Sequence, residues 1–296
     1  GGGSESRAGQ PCGRGRPDAA GGPVEVFAAG APAVILTGRQ EVPPALLIFA
    51  LGFMALGAAS FALSVAALLH PPLRDRLWPR KEMPEAIPLG AAVLSLALLL
   101  VGIVVIRSFR GQLVSATGDW KLPAVALTTQ LLVFACALGG ALSMRRGPGE
   151  TTERLGLAGP RVRHFASGLA GWLGSLWIVV AASLLSVAIY WLVSGKKLPV
   201  QGAVKLVQEA GLGPRLATAG IAMILAPLFE EIFFRGMVFR ALRPRLGFWG
   251  AGLISAVLFA AVHLDPLHAP RLAVLGLILA WIYERTGSLW PAIVLH

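Results

Sequence analysis

The chain has 296 residues, 55% of them hydrophobic and 14% charged, with a mean hydropathy of +0.71. Soluble domains carry about 25% charged residues, so this composition excludes an ordinary water-soluble globule and indicates a polytopic membrane protein. The formal net charge of +11 falls in short loops between apolar runs, with no basic tract interleaved with aromatics. That distribution fits anionic headgroups and the positive-inside rule rather than nucleic acid.

Residues 1–40 are rich in Gly, Ala, Pro and Arg and show no helical period. They are expected to be a disordered low-complexity tail, and they lack the pattern of a signal peptide. Cys12 and Cys136 are too far apart in context for a disulfide framework or a thiolate cluster. Cys136, inside an apolar run, is expected to be a packing residue.

A transmembrane helix needs about 20 apolar residues. Runs at 45–69, 87–106, 122–144 and 165–193 meet that length, followed by 216–242 and the shorter 248–263 and 272–283. Gly287 is placed to end one helix and Ser288 to cap the next, whose first turn tolerates Pro291. The fold expected is therefore all-α, a polytopic membrane helix bundle of about eight transmembrane helices with the last one truncated. Lys and Arg are more numerous in the loops at 70–86, 145–164 and 240–247 than in those at 107–121 and 194–215. The first set is therefore expected on the cytoplasmic side.

Three polar islands interrupt the apolar C-terminal third: Glu230-Glu231-x-x-x-Arg235, Phe259-x-x-x-His263, and His296. A carboxylate deep in a bilayer costs at least about 2.5 kcal/mol, so two adjacent ones indicate a task. Glu231 and Arg235 are spaced i, i+4 and can pair on one helix face. Glu230 is turned by about 100° and is left for chemistry. A glutamate and a histidine can take a proton from water while a second histidine stabilises an oxyanion. Equally, Glu230, His263 and His296 could hold a zinc ion with one position open for water. The His-Glu-x-x-His helix motif is absent. Phe259 is expected to pack, and His70 and His164 to lie in loops. Asp119, Glu150 and Glu153 read as solvated loop charges.

The order of these islands, ending in Tyr283-Glu-Arg-Thr-Gly-Ser-Leu-Trp-Pro-Ala-Ile-Val-Leu-His296, resembles the CPBP family, the CAAX proteases and bacteriocin-processing enzymes also called Abi. The resemblance covers roughly residues 155–296. It implies an intramembrane endopeptidase in which Glu230 and His263 activate water and His296 helps form the oxyanion site. Glu231 and Arg235 support them. It implies either zinc or no cofactor, and a membrane-associated peptide or protein as substrate, in a multi-pass protein of the bacterial plasma membrane in contact with lipids. Residues 41–150 then form N-terminal transmembrane helices and 151–296 the catalytic core. The family motif continues as His-x-x-x-Asn or Asp, whereas this chain stops at His296. Residues 289–296 reach only about 12 Å across a core of about 30 Å, so the core is expected to be C-terminally incomplete. The alternatives are a non-catalytic relative, such as an immunity or chaperone-like protein, and an ion-coupled transporter with Glu230 and Glu231 as a proton relay. The lack of repeated halves weighs against the transporter.

Overall fold

In a computed structural model, residues 44–81, 87–142, 156–195 and 207–296 are described. The expected disordered tail lies outside them, as do parts of the loops at 145–164 and 194–215. Every regular element among the described residues is helical, as long apolar runs require where only internal hydrogen bonds can satisfy the backbone. The helices are α1 (Pro44–Leu69), α2 (Pro71–Leu77), α3 (Leu89–Ser108), α4 (Arg110–Thr117), α5 (Lys121–Leu142) and α6 (Val162–Ser194), followed by α7 (Leu212–Gly220), α8 (Ala226–Phe233), α9 (Arg240–Val262), α10 (Ala269–Thr286) and α11 (Leu289–Leu295). Wide π-helical turns at Ile221–Leu225 and Phe234–Phe239 link α7, α8 and α9.

Four helical runs among the described residues are long and apolar enough to cross a membrane, and the bent pair α1–α2 makes a fifth. This is fewer than the eight expected from apolar runs alone. Residues 216–242 and 248–263, expected as two spans, fall in one 51-residue run, Leu212–Val262, that is kinked between them at Gly247. The run does change direction where the sequence suggests. Gly247 has φ 66 and ψ −177, a conformation glycine adopts without the steric cost other residues bear. Helix α10 falls short because Arg271, Glu284 and Arg285 interrupt its apolar character.

Polarity is inverted relative to a soluble protein. Leu94, Val101, Val104, Leu184 and Leu192 face outward, while Glu230, Glu231, Arg235 and Arg240 are buried. The core gathers around α8 and its following π turn. Phe233, Phe234, Met237 and Phe239 pack there with Phe259, Ala280 and Tyr283, and with Leu99, Val133 and Ala137 from α3 and α5. Cys136 is buried in the same cluster, as a packing residue. Arg240 is not a loop cation but a residue of the α9 helix, 2% exposed. His164 is likewise not in a loop: it sits buried in the first turn of α6, where its Nδ1 accepts from the Arg161 amide at 3.2 Å.

Candidate active site

Helix α8 carries both glutamates at its buried centre. Their partners are set by helical rotation. Arg235 Nη1 donates to Glu231 Oε1 at 2.8 Å, with both side chains fully buried. This is the expected i, i+4 pair. Arg235 also donates from Nη2 to the Gly276 carbonyl of α10 at 2.9 Å, and its guanidinium lies 4.8 Å from the Phe259 ring centroid. The arginine thus ties α8, α9 and α10 together. Gly276 permits this approach: a Cβ there would meet Ala256 Cα at 2.9 Å and Arg235 Nη2 at 3.4 Å.

Glu230 faces the other way, toward α5, α9 and the chain end. Gln130 of α5 donates from Nε2 to Glu230 Oε1 at 2.8 Å. The tilted ring pair Phe134–Phe229, with centroids 4.6 Å apart, holds α5 against α8 beside this contact. Glu230 Oε2 is left toward two imidazoles. His263 Nε2 lies 4.0 Å away and His296 Nε2 3.8 Å away. Both separations exceed a direct hydrogen bond and leave room for a water displaced to one side.

Each imidazole has its other nitrogen committed. His263 Nδ1 lies 2.7 Å from the Phe259 carbonyl. A carbonyl only accepts, so Nδ1–H donates and Nε2 is turned to the glutamate. His296 Nδ1–H donates to Glu231 Oε1 at 2.9 Å. Phe259, fully buried, sits edge-on to both rings, with centroids at 4.9 Å and 5.5 Å. It is a packing residue, and the surface it packs is the site itself.

The chain turns away sharply after His263. Leu264 has φ 54, a left-handed conformation that costs roughly 1–2 kcal/mol for a residue with a side chain. His296 is positioned by a short relay. Gly287 (φ 59) ends α10 and Ser288 Oγ accepts from the Trp290 amide at 3.4 Å, as the sequence led us to expect. The Leu289 amide and Ser288 Oγ both donate to the Gly156 carbonyl, at 3.0 and 3.3 Å. Helix α11 is therefore pinned at its start, which fixes where its last residue points.

The structure thus brings Glu230, Glu231, Arg235, His263 and His296 into one site. It adds Gln130, which sequence reasoning missed. The one signal was available: Gln130 is the only side-chain amide in the apolar run 122–144, and polar groups within spans tend to face partners. As a zinc set, Glu230, His263 and His296 have suitable donor atoms. Tetrahedral ligands about 2.0–2.1 Å from zinc lie about 3.4 Å from one another, closer than the 3.8 and 4.0 Å observed. Among the described residues no group of three or more His, Cys, Asp or Glu is arranged to hold a metal ion. The set as placed does not fit zinc.

The pattern of the type II CAAX prenyl endopeptidase Rce1-like family matches residues 213–296, which include every one of these groups except Gln130. The chain is 40% identical over 76 residues to the "Putative membrane peptidase YdiL" of Bacillus subtilis, covering 26% of this chain and 31% of that protein. It is 31% identical over 130 residues to an "Uncharacterized 24.3 kDa protein" of Escherichia coli, covering 42% of this chain and 60% of that one. The chain thus spans about a third and three fifths of the lengths of these two relatives. No solved structure matches it. The Rce1-like segment begins in α7 and ends at His296, so α5, which supplies Gln130, completes the site from outside it.

Proposed function

We propose that the chain is an intramembrane endopeptidase that hydrolyses a peptide bond by metal-free, glutamate-assisted attack of water. The observation that carries this reading is the placement of Glu230 Oε2 within 4.0 Å of two imidazole Nε2 atoms whose Nδ1 atoms are both engaged elsewhere. Glu230 takes a proton from a water held between it and His263. The hydroxide forms a bond to the carbonyl carbon. His296, in its protonated form and braced by Glu231 at Nδ1, donates from Nε2 to the oxyanion. The carbon–nitrogen bond then breaks, and the leaving amine takes the proton that Glu230 received. His263 is a third exposed in its side chain, which gives a substrate a route to the water.

The substrate class we propose is CAAX-type, the one named in the family description. The Bacillus and Escherichia sources of the relatives support a bacterial plasma membrane. The test uses liposomes containing the chain and a membrane-tethered peptide ending in a CAAX sequence, with and without a prenyl group, each with and without a zinc chelator. Mass analysis should show cleavage of the prenylated peptide, undiminished by chelation. Equal cleavage of the unprenylated peptide would reject the CAAX class, and loss with chelator would reject the metal-free route. Absence of cleavage of any tethered peptide would favour a non-catalytic relative.

Gln130 gives a second expected outcome. A hydrogen bond to a charged group contributes about 1.5–3 kcal/mol. Gln130→Leu should therefore slow cleavage by roughly tenfold or more, with helical content by circular dichroism unchanged. An unaltered rate in a folded variant would make the 2.8 Å contact incidental.

A further inference from the structure

Two cavities share a wall at Phe248 and Trp281. One, about 260 Å³, is an apolar slot between α6, α9 and α10, lined by Trp78, Ile178, Trp249 and Trp281 among others. The second, about 630 Å³, adjoins it through Phe248 and Trp281 and is lined by Arg74, Arg80, Lys81, Arg243, Glu284 and Arg285. Arg243, at one rim of the chamber, lies about 20 Å from Glu230 at 1.5 Å rise per residue, so the cationic chamber is not the peptidase site.

The chemistry changes abruptly across that wall. Tryptophans of a membrane protein favour headgroup level; Trp78, Trp249 and Trp281 line the slot, and Trp281 also walls the cationic chamber. Trp78 and Trp281 meet edge-to-face at 5.3 Å. Among the described residues, five cations and one carboxylate, Glu284, line the chamber, and Asp75 lies beside Arg285. Glu284 receives Arg243 at 2.9 and 3.0 Å, and Asp75 receives Arg285. Arg285 also donates to the Trp78 carbonyl at 3.1 Å, and the Lys81 amide donates to the Arg285 carbonyl at 3.0 Å. The positive wall is therefore fixed to the tryptophan wall by hydrogen bonds. Slight desolvation, then the nearby Arg163 and Arg161, hold the exposed Lys81 ammonium below its ordinary value. Cations crowded in this way are relieved by an anion.

We propose that the paired cavities bind one anionic phospholipid, with its phosphate among Arg80, Lys81 and Arg285 and an acyl chain in the slot bounded by Ile178 and Trp281. The reading is independent of the peptidase reading. A soluble anion would use the chamber and leave the slot empty. A zwitterionic lipid would use the slot but carries an ammonium into a cationic chamber.

The test titrates the purified chain in detergent with phosphatidylglycerol, with phosphatidylcholine of the same acyl chains, and with inorganic phosphate. Native mass spectrometry counts lipid retained per chain. Phosphatidylglycerol should half-saturate at a concentration at least tenfold below phosphatidylcholine. Arg80→Gln with Lys81→Gln should raise the phosphatidylglycerol value by roughly fivefold per charge removed and leave phosphatidylcholine unchanged. Ile178→Trp, which fills the slot, should weaken phosphatidylglycerol without changing the surface charge. If the double variant does not remain monodisperse and helical, Lys81→Gln alone and Ile178→Trp decide. Equal retention of the two lipids, displacement of phosphatidylglycerol by equimolar inorganic phosphate, or indifference to all these substitutions would overturn the proposal.

Discussion

Glu230→Gln is expected to lower the rate of peptide cleavage by about 10²–10⁴-fold, the contribution typical of a positioned general base, while the protein remains inserted and helical. The substitution keeps shape and volume and removes only the ability to accept a proton. Its effect on stability has a predictable sign. A carboxylate held inside the bundle is costly, and at Glu230 that cost is offset by the Gln130 amide and by whatever charge the two imidazoles carry. Replacing it with an amide removes the burden of burial and weakens one charge-assisted bond, so the thermal midpoint should shift little or rise. A purely structural glutamate would behave in the opposite way: the rate would hold and the midpoint would fall. Initial rates on the tethered peptide and thermal unfolding of the same preparations separate the two. Full activity in a folded Glu230→Gln protein would end the assignment of that residue as base.

The parts of this site that were legible in the sequence are the parts that obey local rules. The Glu231–Arg235 pair follows from i, i+4 spacing on a helix, and the Gly287–Ser288 junction from the chemistry of helix caps. The cost of burying Glu230 and the two histidines within apolar runs was visible as composition alone, and the structure gathers them. What was not legible depends on distance along the chain. Gln130 is a hundred positions from Glu230 and has no neighbour in sequence to mark it. The π turns at Ile221–Leu225 and Phe234–Phe239 break the 3.6-residue period without a proline or glycine signature at every bend. Arg240 read as a loop cation because its neighbours Arg243 and Arg245 are basic, yet it lies 2% exposed in a helix. His164 read as a loop residue because it sits between arginines and an apolar run, which is also where a helix begins. The number of spans is not fixed by apolar length, because length alone does not distinguish a helix crossing lipid from one enclosed by its neighbours.

The second large effect concerns Arg235 and Glu231, whose contributions to stability and to chemistry should come apart. Arg235→Met leaves Glu231 at zero exposure with only His296 as a partner, and an orphaned buried charge costs about 3–5 kcal/mol. It also removes the bond to the Gly276 carbonyl and the contact with the Phe259 ring. Glu231→Gln alone leaves the guanidinium uncompensated and should be similarly severe. The double variant Glu231→Gln with Arg235→Met has no unpaired charge and should be more stable than either single variant, a large non-additivity between residues in contact. Activity should not follow. The carboxylate that holds His296 through Nδ1 at 2.9 Å is gone, so the imidazole loses both its orientation and the negative partner that supports a positive ring. Denaturation in detergent micelles measures the first quantity and cleavage of the tethered peptide the second. Additive losses in stability would deny the coupling of the pair. A double variant that recovers stability and rate together would show that Glu231 serves the fold alone and that His296 needs no carboxylate behind it.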